Sequence, residues 1–117
     1  MRLNLRNFLA ELFKSAGLSV HYFRAPAKAQ MPYVVFELRE ITNEQRFTRY
    51  ILELNAYGHR EAELEGILDT IEGILHYEHF QEDELIFSAF RMGSRQDIEE
   101  PEPNIWRKRL QIEIRKG

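Results

Sequence analysis

The sequence contains no cysteine, which excludes disulfides, zinc ribbons and thiol nucleophiles. Its 6 glycines and 4 prolines are scattered. They supply no phosphate-cradling loop and no low-complexity linker. No apolar run approaches the roughly 20 residues that span a bilayer. The N-terminal octapeptide, Met1 to Phe8, lacks the apolar core of a signal peptide. No membrane partner is expected. With a net charge of -3 and a pI near 5.8, the chain also lacks the basic excess usual in nucleic-acid binders.

What is present is the patterning of one ordinary globular domain. The 117 residues are 44% hydrophobic and 30% charged, enough to bury a core without covalent staples. The clearest signal is a junction, Tyr50-Ile-Leu-Glu-Leu-Asn-Ala-Tyr-Gly58, which alternates with period two and runs into a segment of helical period. A half-buried strand therefore feeds a helix through one glycine.

A first helix is predicted over residues 2–16. Leu5, Phe8, Leu9, Leu12 and Phe13 share a face, and Gly17 follows as a left-handed cap. Strands are predicted over 18–23, 33–38, 47–57, 85–92 and 105–115, where apolar residues alternate. The second helix is predicted over 60–77, with Leu64, Ile67, Leu68, Ile71, Ile74 and Leu75 as its apolar stripe. Gly66 and Gly73 interrupt it, which suggests close backbone packing there, since each costs about 1 kcal/mol against alanine. Residues 24–32, 41–46, 78–84 and 93–104 are expected to be connections. The order α-β-β-β-α-β-β predicts a two-layer α+β domain, residues 1–117. Its mainly antiparallel sheet would carry both amphipathic helices on one face.

The sequence offers little chemistry. His76 and His79 are three apart but lack a metal-site motif, and suit a helix C-terminus equally well. His59 and Glu63 form a conceivable acid-base pair without a nucleophile or oxyanion device. Ser15, Ser19, Ser88 and Ser94 sit in no nucleophile elbow. Asp97, Glu99, Glu100 and Glu102 do not match a calcium loop. They read as a solvated acidic loop, or as a pore lining or partner contact. Trp106, Arg107, Lys108 and Arg109 split between the two faces of a strand, and Trp106 is expected at a sheet edge or a subunit interface. No enzyme, cofactor or metal is expected.

Three segments carry a family resemblance. They are Met31-Pro-Tyr-Val-Val-Phe-Glu37; Arg49-Tyr-Ile-Leu-Glu-Leu-Asn-Ala-Tyr-Gly58 with the helix after it; and Ile105-Trp-Arg-Lys-Arg-Leu-Gln-Ile-Glu-Ile-Arg115. Together with the N-terminal helix, they resemble the phage tail terminator and tail-to-head joining (tail completion) proteins. The acidic segment 94–104 departs from that pattern.

The resemblance implies a structural protein, monomeric in isolation, that forms a hexameric ring on assembly. Its partners would be further copies of itself, the tail tube protein and the head connector protein. DNA would pass through the lumen without specific binding. It would be found in the host bacterial cytoplasm during assembly, then in the virion tail. Candidate interface or lumen residues are Arg49, Ile51, Glu53, Tyr57, Asp97, Glu99, Glu100, Glu102 and Trp106. The loops 24–32 and 41–46 are expected to order on assembly. Competing expectations are a head-completion adaptor, a small cytosolic α+β ligand- or partner-binding module, and a hydrolase using His59 and Glu63.

Overall fold

Alternation along three long strands builds the centre of the molecule. The computed structural model describes residues 2–42, 48–75, 79–82 and 85–116. In β2 (Tyr33–Thr42), β3 (Thr48–Gly58) and β7 (Trp106–Lys116), every second residue points to one face. The registers stack them in rows: Phe36, Leu54 and Leu110 share one row, and Leu38, Leu52 and Ile112 the next. All of these are buried.

α1 (Arg2–Ser15) and α2 (Glu61–Leu75) cover that face. α1 contributes Leu5, Leu9 and Phe13, and α2 contributes Leu64, Leu68, Ile71 and Leu75, all fully buried. Phe13 meets Phe36 edge-on at 5.6 Å, and Phe8 meets Phe87 at 5.6 Å. The result is the expected two-layer α+β arrangement, with both helices on one side. No described helix is long and apolar enough to cross a membrane.

Further strands are β1 (Val20–Tyr22), β4 (His79–Glu82), β5 (Leu85–Arg91) and β6 (Gln96–Ile98). Among the described residues the sheet thus has seven strands, in the order β1-β2-β3-β7-β5-β4, and β6 also pairs with β7. Only β1 against β2 is parallel. β5 and β6 follow one another along the same side of β7. Between their registers, residues 92–95 oppose only Leu110 and Gln111. The bulge turns at Gly93, φ +67, and Met92 N–H keeps a hydrogen bond to the Gln111 carbonyl at 2.9 Å.

Chain reversals follow their residues. α1 ends in a Schellman motif: Leu18 N–H bonds the Phe13 carbonyl and Gly17 N–H the Lys14 carbonyl, with Gly17 at φ +84. β1 stops at Phe23, where Arg24 N–H bonds the Tyr22 carbonyl and Phe23 takes φ 70. This is a γ-turn in the left-handed region, a strained place for a bulky side chain.

Several expectations need correction. β2 is longer than predicted, reaching Thr42, so Ile41 belongs to a strand; residues 43–47 lie outside the described set. The supposed connector 78–84 contains β4 (His79–Glu82), paired with β5. The supposed loop 93–104 contains β6. Both strands are short and polar, and β-propensity alone does not mark them; a neighbouring strand's free edge does. Gly66 and Gly73 are not sites of close packing: a Cβ on either would meet nothing within 4 Å. The close approach is at Gly58, where a Cβ would lie 2.9 Å from Leu64 Cδ2 and 3.4 Å from Pro32 Cβ. The glycine at the junction lets the helix fold back onto its strand.

Candidate functional site

Among the described residues, the second face of the sheet carries no helix. On it, Tyr33, Tyr57 and Arg107 form one row, and Glu37, Glu53 and Gln111 another. Alternation that buries Leu52 and Leu54 necessarily places Arg49, Ile51, Glu53 and Tyr57 here. All four are half-buried rather than free in solvent.

Polar ties within the face explain this. Arg49 Nη1 donates to Glu113 Oε1 at 2.7 Å, and Arg115 Nε donates to Glu113 Oε2 at 3.0 Å. Gln111 Nε2 donates to Glu53 Oε1 at 3.1 Å. The Asn55 side-chain carbonyl accepts from Arg107 Nε at 3.0 Å and Arg109 Nε at 3.3 Å. Arg107 also lies over the Tyr57 ring at 5.4 Å. Burial pushes the Tyr57 phenol above the usual tyrosine range, against the pull of Arg107. The face is thus a mixed polar ladder whose charges answer one another across adjacent strands.

A second cluster lies between α2 and the strands β6 and β7. Lys108, buried on the helix side, places Nζ 2.5 Å from Asp97, 2.9 Å from Glu65 and 3.3 Å from Glu61. Burial alone would lower its pKa; hydrogen bonds to Asp97, Glu65 and Glu61 instead hold it well above the ordinary lysine value. Arg95, in the bulge, donates to Glu65 at 2.5 Å, Asp69 at 2.6 Å and Glu72 at 3.1 Å. Two cations therefore staple β6 and the bulge to α2.

The acidic segment is consequently not a uniformly solvated run. Asp97 pairs with Lys108, and Glu100 lies 3.5 Å from Arg107. Glu99 and Glu102 are exposed and make no ion pair with any described residue. Trp106, 43% exposed, opens β7 opposite Gly58. Lys108 is turned to the helix side while Arg107 and Arg109 lie on the open face, as alternation requires.

Among the described residues, His59 makes its hydrogen bond elsewhere than to Glu63. His59 Nδ1 lies 3.0 Å from the Asn104 carbonyl. A carbonyl only accepts, so the ring donates there and ties the end of the acidic segment to the start of α2. His76 and the side chain of His79 lie outside the described residues. Among the described residues no group of three His, Asp or Glu could hold a metal ion.

Sequence reasoning missed Phe23, which is 61% exposed at the end of β1. The alternation over 18–23 marks it as the last residue of a strand, and a left-handed phenylalanine has no signature in sequence.

The fold has a counterpart. A chain in the solved virion of a native gene transfer agent particle superposes with a TM-score of 0.67. The match covers 91% of this chain and 84% of that one, at 11% sequence identity. At that identity the likeness is one of fold. No protein-family model and no characterised protein matches the chain by sequence.

Proposed function

We propose that this chain is a structural protein of a phage or phage-like virion, which caps the tail tube as a ring and joins the tail to the head connector. The observation that carries the reading is the fold likeness to a gene transfer agent virion chain over nearly the whole length. It coincides with the tail terminator resemblance of three separate sequence segments. A fold supports many functions, and it is the agreement of two independent indications that favours this one.

On this reading the protein acts by surfaces, without a cofactor or a reaction. Copies of the chain, six in the finished ring as the family resemblance implies, would contact the tail tube protein on one side and the head connector protein on the other. DNA would cross the lumen without specific contacts. Asp97, Glu99, Glu100 and Glu102 would face that lumen or a contact between copies. Carboxylates suit a passage for DNA, because cations would bind phosphate and retard it. The open sheet face, with Arg49, Ile51, Glu53 and Tyr57, suits a contact made and broken during assembly. Arg49, Glu53 and Glu113 are already paired within the face in the free chain, Arg49 Nε alone being buried without a partner among the described residues, so little desolvated charge is left unpaired when it separates.

The experiment is deletion of the gene from a particle-producing host, with purified protein added back. Over-long tail tubes and tail-less heads, both corrected by the added protein, are expected. Normal tubes that fail to join heads would instead favour the head-completion adaptor. Normal particles would overturn both readings.

A further inference from the structure

Two large hydrophobic side chains are exposed among the described residues, Phe23 and Trp106. They lie toward opposite edges of the sheet. At the level of Val34 and Val35 the strands run β1-β2-β3-β7-β6. Four strand spacings separate the outer two, about 19 Å.

Charge divides the same way. Residues 23–32, beyond β1, include exposed Arg24 and Lys28 and no carboxylate. Residues 96–104, which start with β6, include Asp97, Glu99, Glu100 and Glu102 and no base. Lys108 and Arg107 engage Asp97 and Glu100, leaving Glu99 and Glu102 without an internal partner among the described residues. Phe23 is held outward at φ 70, a conformation that costs stability. Each of these two segments thus carries charges of one sign near an exposed aromatic ring, and the signs are opposite.

We propose that the β1 edge of one copy, with Phe23, Arg24 and Lys28, docks on the β6 edge of a second copy, with Glu99, Glu102 and Trp106. The inference rests on the ring reading above and names the contact that closes the ring. Unlike patches at opposite edges make a heterologous, head-to-tail contact, which propagates and closes into rings. A contact of either patch with its own copy would oppose like charges, which disfavours a two-fold dimer. Exposed aromatics at the centre with charges around them fit the composition of protein interfaces.

The chain has no cysteine, so introduced thiols report proximity cleanly. One full-length variant carries Ala27→Cys and another Pro103→Cys, both at exposed positions that leave the four charges intact. The two are mixed, oxidised in a glutathione buffer and separated by mass. The mixed disulfide should exceed either homodimer several-fold. It should also exceed the product formed when Thr70→Cys, on the outer face of α2, replaces Pro103→Cys. Arg24→Glu with Lys28→Glu on the first partner should abolish the excess, and Glu99→Lys with Glu102→Lys on the second should restore it. Restoration excludes misfolding as the cause of the loss.

Homodimers in statistical proportion, or a mixed product no greater than the Thr70→Cys control, would overturn the contact. Rings of the unmodified chain without this cross-link would overturn the contact and leave the ring. The cross-link in a chain that fails to correct tail length would leave the contact and overturn the tail reading.

Discussion

Lys108 on β7 and Glu65 on α2 meet at 2.9 Å, with the lysine side chain 5% exposed and the glutamate 41% exposed. One buried ammonium thus fixes the angle of α2 on the sheet and, through Asp97, fixes β6 as well. Replacing Lys108→Met should lower unfolding stability by about 1–3 kcal/mol in urea titration. The loss should fall below the 3–5 kcal/mol typical of breaking a fully buried pair, about the upper range for such sites. The reason is that Glu61, Glu65 and Asp97 are solvent-accessible and rehydrate.

The same pair sets an acid limit. The hydrogen bond from Lys108, and after it that from Arg95, lowers the Glu65 pKa against the opposing effect of burial. A depressed folded-state pKa contributes stability above the unfolded value, about 4.3. That contribution disappears as pH falls through the folded-state value. Glu65→Gln should therefore be less stable than the parent at pH 7, and the gap should shrink below about pH 4. Urea midpoints for both proteins from pH 7 to pH 3 check this.

The glycines of α2 and its approach should respond in opposite directions. Gly66→Ala and Gly73→Ala each place a methyl in open space on an exposed helix face. Each should stabilise by about 0.5–1 kcal/mol. Gly58→Ala drives a Cβ to 2.9 Å from Leu64, a fully buried core residue. It should destabilise by about 1–3 kcal/mol. Thermal unfolding of the three single variants separates the two classes.

Phe23→Gly should dissociate stability from assembly. Glycine tolerates φ 70 and relieves strain of about 1–2 kcal/mol, offset in part by greater unfolded-state entropy. Monomer stability should stay within about 1 kcal/mol of the parent. The mixed cross-link between copies should be lost. A fall in both together would mean that Phe23 supports the fold instead.

The division between what could and could not be read from the sequence is physical. Periods of 2 and 3.6 placed Leu52, Leu54 and Leu110 on one sheet face and Leu64, Leu68 and Ile71 on one helix face, because burial imposes those periods directly. β4 and β6 were missed because Gln96, Asp97 and Ile98 form a strand only where β7 offers them an edge. The staples were illegible for a related reason: Lys108 finds Glu61 and Glu65 from a distant part of the chain, and a base beside an acidic run looks the same paired or free. Of the candidate interface residues, Trp106 was found exposed, whereas Asp97 and Glu100 proved to be engaged internally. Alternation correctly placed Arg49, Ile51, Glu53 and Tyr57 on the open face, but their in-plane ties depend on register, which one sequence does not reveal.

The most direct test of ring assembly is negative-stain imaging of the unmodified chain across a concentration series, with light scattering on the same samples. Closed rings of one diameter, increasing with concentration at the expense of monomer, are the expected result. A chain that stays monomeric or dimeric at every concentration, and still forms no ring when tail tubes are added, would contradict it.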